Sequence, residues 1–419
     1  MLQYLKRHRR SSAVIAGGLV LLMLTGGAVL VLGPARLLDR RAPVASSTPS
    51  AWASALALPT TTATPLPTDV PSPTPSPVPS PTPTCVDVAS WPVSQRLNQL
   101  LMVSGDFANL GASTPEAAAG VGAFVFFGQP PAGSGPGIHD GLATLVNDAH
   151  SAGMVAPWMS TDEEGGYVAR LANVVGALPS PRRMAAIWSP AQVQAIMTAH
   201  ASAMQKLGIT MDLAPVLDTA LPTNTIADES DRSFSFDPGV AAAYGVAYAS
   251  GLRAGGLVAV GKHFPGFGQA TANTDLAAAS VPPLAELQSR DLIPFEQAIR
   301  QGLPAIMITH ASVPGLTGGV PSSLSPATYQ YLRNSLRFTG VAVTDDLNAR
   351  AITVAGYSSS TAAVKAIESG ADMAMIDAAQ WQPSLAALMR QADTQALPLS
   401  QIDASVSRIL TAKGLRVCQ

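Results

Sequence analysis

The chain of 419 residues has no excess of positive charge: 25 Lys and Arg stand against 27 Asp and Glu, a net charge of −2. Binding to a phosphate backbone needs surplus cations, so nucleic acid is excluded as a partner. Cysteine is scarce, two residues in all, and the six histidines are scattered without H-x-x-x-H spacing, so no metal-ligand pattern is present. Also missing are the phosphate-cradling G-x-x-x-x-G-K-[ST], a convincing G-x-G-x-x-G after a strand-like run, and a Ser nucleophile elbow. No cofactor is expected. What remains for chemistry is a set of carboxylates with Lys, Arg and His, which suits glycosidic bonds.

The N-terminus carries Lys6, Arg7, Arg9 and Arg10, followed by an uncharged apolar run over 13–32. About 20 apolar residues span a hydrocarbon core of ~30 Å. A secretory signal has a shorter apolar stretch and a small-residue cleavage site, and no clean A-x-A follows here. The expectation is a single-pass signal anchor at 13–33, with the basic residues 1–12 cytoplasmic and the body outside the cell. A cleaved signal and a secreted body are the alternative. The excess of proline sits in residues 34–84, which hold 13 of the 35, a Pro/Ser/Thr-rich stretch that reads as an extended disordered linker. Its Ser/Thr-Pro tracts are either bare or O-glycosylated. Cys85 follows the linker directly and Cys418 stands next to the C-terminus. In an exported protein such an isolated pair is expected to form a disulfide, here clasping the two ends of the body.

Residues 85–419 read as one α/β domain. Continuous apolar runs recur at 121–127, 156–162, 209–218, 257–266, 304–311, 341–347 and 372–377. Strands of a parallel sheet covered on both faces have this pattern. Amphipathic stretches at 190–207, 238–254, 284–301 and 326–336 separate them, several opening with Ser-Pro or Asp-Pro as helices do. Polar residues choose between an open sheet and a barrel: Asp162, Asp218, Lys262 with His263, His310, and Asp345 with Asp346 each end an apolar run. Only a closed (β/α)8 barrel of TIM type gathers so many strand ends around one site. Seven strands are assigned, and the eighth is early in the domain, irregular or missing.

Each polar group has two readings. Asp345 and Asp346 repel one another unless a function or a cation maintains them, or they cap the next helix. Asp162, Glu163 and Glu164 lead into Gly165 and Gly166, either a tight ligand-approaching turn or an exposed acidic loop. Lys262 and His263 open the loop GKHFPGFG, which resembles a ligand clamp. Arg170 and Arg232 add cations nearby in sequence.

The ordered set RLNQLLMVSG, TDEEGGYVARL, LGITMDLAPVLD, DRSFSFDP, GKHFPGFG, MITHASVPGL, GVAVTDDL and AIESGADMAMI resembles glycoside hydrolase family 3, in particular its single-domain bacterial β-N-acetylhexosaminidases, over about residues 90–413. The resemblance implies a retaining glycosidase with Asp345 as nucleophile. It further implies that Asp162, Arg170, Arg232, Lys262 and His263 hold the terminal sugar. The expected substrate is a glycan bearing N-acetylglucosamine. One departure stands out: where the family continues to Asp-Ser-His, this chain has Asn273-Thr274-Asp275. Either Asp275 replaces the family's acid/base His, with His310 as a fallback, or the body is a degenerate sugar-binding module. A β-glucosidase and an adhesin with a barrel scaffold are further alternatives.

Overall fold

Strand and helix alternate until the sheet closes on itself. The computed structural model describes residues 85–224 and 231–418. Its eight parallel strands are β1 (Leu101–Asp106), β2 (Ala123–Phe127), β3 (Trp158–Thr161), β4 (Met211–Asp212), β5 (Val258–Phe264), β6 (Ala305–Ile308), β7 (Val341–Asp346) and β8 (Met373–Ile376). Each pairs with its neighbour in sequence and β8 pairs with β1, giving a closed barrel. The strand not assigned from sequence is β1, and it is complete, pairing from Met102 opposite Ala123 to Asp106 opposite Phe127. The run expected at 209–218 is regular only at Met211 and Asp212. Pro215 has no N–H to give to a ladder. Backbone bonds nevertheless continue past it, with Lys262 N donating to Pro215 O at 3.0 Å and Leu217 N to Lys262 O at 2.6 Å.

The main helices are α1 (Gly135–Ser151), α2 (Pro190–Lys206), α3 (Pro238–Ala254), α4 (Leu292–Arg300), α5 (Ser359–Ser369), α6 (Trp381–Asp393) and α7 (Leu399–Ala412). The Ser-Pro start of α2 and the Asp-Pro start of α3 act as caps, whereas Ser325 before Pro326 makes no side-chain cap bond. Ser189 Oγ accepts from Gln192 N while Gln192 Oε1 accepts from Ser189 N, a reciprocal box that satisfies otherwise orphaned donors. Asp237 Oδ1 accepts from Val240 N at 2.8 Å. The single helix expected over 284–301 is two, Leu284–Ser289 and α4. The break falls at Arg290 and Asp291, whose side chains turn inward to hold other loops. The helix expected at 326–336 continues from Pro326–Gln330 into a π-helical turn, Tyr331–Ser335.

Among the described residues no helix is long and apolar enough to cross a membrane. The anchor expected at 13–33 and the linker at 34–84 lie outside the described residues.

Cys85 and Cys418 are disulfide-bonded across 333 positions, with their Cα atoms 5.0 Å apart. Val86 N donates to Arg416 O and Cys418 N donates to Val86 O, so the two ends pair as short strands beside the bond. Closing so long a loop contributes ~6 kcal/mol in the chain-entropy model. The expected outcome is two cysteines joined in the non-reduced mass, and a melting temperature several degrees lower after reduction. Equal melting temperatures with and without reductant would show that the clasp contributes nothing.

Candidate active site

The polar strand ends meet at the C-terminal mouth of the barrel, as parallel closure requires. At its centre is Lys262, on β5 and only 2% exposed. Its Nζ donates to Asp162 Oδ1 at 2.7 Å and stands 2.6 Å from Glu164 Oε1. Arg232 grips the same Glu164 with two bonds, Nε to Oε2 at 2.8 Å and Nη2 to Oε1 at 2.7 Å. A fork-shaped guanidinium matches a carboxylate in this way, and a bidentate charge-assisted pair is strong and directional. Burial alone would raise the Glu164 pKa, but Arg232 and Lys262 outweigh it and hold the carboxyl well below the usual carboxylate range. Burial likewise works against the Lys262 charge, yet Asp162 and Glu164 keep it protonated above its ordinary value. The result is a fixed Asp162–Lys262–Glu164–Arg232 chain of charges.

The TDEEGG segment separates its acids by alternation. Asp162 and Glu164 face Lys262, whereas Glu163 between them is fully buried in the wall. There Glu163 Oε2 accepts from Leu171 N, its amide donates to Asp212 Oδ1, and its carbonyl accepts from Tyr248 Oη. Gly165 (φ +96°) then reverses the chain into a two-stranded hairpin, Glu163–Gly165 against Val168–Ala169. A Cβ at Gly165 would lie 2.4 Å from Pro179 O, so only glycine fits. The hairpin brings Arg170 back beside Asp162, with Arg170 N donating to Asp162 O at 3.2 Å. Its guanidinium lies 5.9 Å from the Phe127 ring centroid, and its Nε is buried without a partner.

His263 follows Lys262 and is oriented from behind. Asp218 Oδ1 accepts from the amides of His263 and Phe267, and Asp218 Oδ2 stands 2.7 Å from His263 Nδ1. That carboxylate assigns the Nδ1–H tautomer and leaves Nε2 as the free ring nitrogen. His310 is different. Its Nε2 is 2.8 Å from the Asp346 carbonyl, which can only accept, and its Nδ1 is 2.7 Å from Ser323 Oγ. Burial lowers its pKa. With both nitrogens engaged, His310 supports the end of β7 and neither nitrogen is free to meet a leaving oxygen, which argues against it as the fallback acid.

At that end the paired acids diverge. Burial would raise Asp345, but His310, His263, the donated Asp346 N–H and Lys262 outweigh it and lower its pKa. Asp346 is pushed up to about 7 by burial and by the neighbouring Asp377 and Asp345 charges, although Asn348 bonds its Oδ1. Asp345 is therefore the ionised member of the pair.

Asp275 reaches this mouth because its loop is fastened at both sides. Gln269 Nε2 donates to the buried Asp291 at 2.9 Å, and Ala351 N donates to Thr274 O at 3.0 Å just after β7. Gly268 permits the start of the loop, since a Cβ there would lie 2.0 Å from Thr219 O. Asn273 Oδ1 accepts from Asp275 N. Surrounding protein and then the Asp345 charge raise the Asp275 carboxyl to about 6, against Arg232 and His263. The residue is exposed at the rim, where water weakens both effects until a ligand displaces it.

All seven residues expected to form the site thus stand at one mouth. Glu164 and Asp218, which were not assigned to the site from sequence, are its internal supports. Among the described residues no group of His, Cys, Asp and Glu could hold a metal ion.

The family model for the glycosyl hydrolase family 3 N terminal domain matches residues 94–412. The chain belongs to glycosyl hydrolase family 3. Among its relatives, a beta-hexosaminidase of Mycobacterium tuberculosis, LpqI, is 38% identical over 264 residues, covering 61% of this chain and 68% of the relative. A beta-hexosaminidase of Stenotrophomonas maltophilia is 36% identical over 203 residues, covering 46% of this chain and 59% of the relative. The solved structure of M. tuberculosis LpqI superposes with a TM-score of 0.71 and 34% identity, over 80% of this chain and 99% of that one. That of a beta-N-acetylhexosaminidase from Beutenbergia cavernae does so with a TM-score of 0.69 and 30% identity, over 78% and 100%. Family 3 membership makes the protein a glycosidase.

Proposed function

We propose that this glycosidase is an exported, exo-acting β-N-acetylhexosaminidase that removes terminal β-linked N-acetylglucosamine from cell-wall fragments or chito-oligosaccharides with retention of configuration. Asp345 attacks the anomeric carbon while Asp275 gives its proton to the leaving oxygen. The glycosyl-enzyme is then cleaved by water, which Asp275, now a base, deprotonates. The observation that carries this reading is that the Asp275 loop is tied by Thr274 O to Ala351 N just beyond the strand end that bears Asp345, which sets the two carboxyls in each other's field, Asp345 lowered and Asp275 raised to about 6. Carboxyls pushed apart in this way mark the acid and the nucleophile of a glycosidase. Asp162, Lys262, His263, Arg170 and Arg232 bind the hydroxyls and acetamido group of the terminal sugar. The names of the relatives support N-acetylhexosamine over glucose. Export with anchoring through residues 13–33 is supported by the sequence pattern, and a disulfide suits an oxidising compartment.

A sugar-binding module without turnover is the second reading, favoured by Asn273-Thr274-Asp275 replacing the family triplet. Hydrolysis of a nitrophenyl N-acetyl-β-glucosaminide separates the two. The acid must carry its proton, which Asp275 holds below about pH 6 and loses above it; the nucleophile must be ionised, which Asp345 is above its lowered pKa. Hence kcat/KM on a natural disaccharide, whose leaving hydroxyl needs the proton, is expected to plateau in the acid range and to fall about tenfold per pH unit above ~6, with kcat falling at higher pH because bound sugar excludes water. A disaccharide rate independent of pH between about 5 and 8 would remove Asp275 from the acid role. Binding of N-acetylglucosamine without any turnover would establish the module.

A further inference from the structure

Beyond the ends of β1 and β2 lies a cavity of about 300 Å³, lined among others by Phe107, Gln129, Pro130, Pro131 and Gly137. This is the small end of the range for small-molecule sites, room for one ring rather than a chain. It shares the catalytic mouth: β1, β2 and β3 are consecutive around the barrel, and strands lie ~4.8 Å apart, which puts the end of β1 ~10 Å from that of β3 beside Asp162. The two regions have a common wall. The Arg170 guanidinium leans on Phe127, the residue before the cavity's Gly128, and Asn173 Nδ2 donates to Pro130 O at 3.3 Å.

The lining also selects a chemistry. It has no Lys or Arg to receive an anionic occupant. Phe107 and the two prolines offer apolar faces to the C–H side of a pyranose. Polar contacts come from the Gln129 amide and from the start of α1, where Ser134 Oγ is turned to Pro131 O and caps no N–H. First-turn amides left without a cap suit a hydroxyl or acetamido oxygen.

We propose that this cavity holds a second, uncharged pyranose unit of the glycan whose terminal sugar occupies the Asp162–Lys262–Arg232 clamp. This rests on the glycosidase reading, with that clamp as the terminal subsite. Gly137→Phe tests it, because Gly137 lines the cavity and a Cβ there meets nothing within 4 Å, so a bulky side chain can be added at its wall. The nitrophenyl glycoside, which has no second sugar, should be cleaved within about twofold of wild type. On a chito-tetraose KM should rise about tenfold with kcat unchanged, the signature of binding lost equally from ground and transition states. Equal kinetics on the tetraose, or equal losses on both substrates, overturn the proposal. Gln129→Trp repeats the test from the β2 side should Gly137→Phe not fold. If wild type cleaves neither substrate, the glycosidase reading fails, and calorimetric titration with the same tetraose decides the cavity separately: weaker binding by the filled variant supports it, equal binding overturns it.

Discussion

Asp345→Asn is expected to leave the barrel folded and to lower kcat on the nitrophenyl glycoside by ~10³-fold or more, about 4 kcal/mol of transition-state stabilisation. The fold should survive because an amide keeps the oxygen that accepts from Asp346 N. It also removes a charge whose burial is itself unfavourable. Catalysis should not survive, since an uncharged amide neither attacks carbon nor stabilises an oxocarbenium-like state. Loss of this charge is also expected to lower the Asp275 pKa, because Asp345 is one of the two main causes that raise it. Initial rates with a thermal melt as control decide the matter. A folded variant with more than about a tenth of wild-type kcat would exclude Asp345 as nucleophile.

The barrel was legible because seven apolar runs are continuous and each ends in a polar side chain. The run that escaped, Leu101–Asp106, shows what such reading depends on: it follows the helix Val93–Gln99 after a single residue, and Ser104 and Gly105 cut its apolar stretch short. Hydrophobic pattern cannot divide a helix from a strand where both are buried and no turn residue intervenes. Lys262, His263 and Asp345 were legible as strand ends. Their supports were not, because pairing is a property of three-dimensional distance. Glu163 and Glu164 are identical in sequence terms, yet one is locked into the wall by Leu171 and Asp212 and the other carries the charges of Arg232 and Lys262. His310 shows the converse: a strand-end His suggested a proton donor, and its two hydrogen bonds show a strut.

Asp275 decides whether the site turns over ordinary substrates, and its removal should be read through the leaving group. A nitrophenolate departs with little help, whereas a sugar hydroxyl must receive a proton as the glycosidic bond breaks. Asp275→Ala is therefore expected to retain appreciable activity on the nitrophenyl glycoside and to lose ~10²–10⁴-fold on a natural disaccharide, the range of general acid catalysis. The loop should keep its place, since Thr274 O and Gln269 fasten it through contacts that do not involve the Asp275 carboxyl. The pH profile supplies an independent check: the fall above about 6 should vanish with the carboxyl that causes it. Equal losses on both substrates would mean that Asp275 binds sugar and transfers no proton. An unchanged disaccharide rate would move the proton elsewhere at the mouth, and His263 is then the candidate, because Asp218 holds its Nδ1 and leaves Nε2 free. His310 cannot take that place while both of its nitrogens are bound.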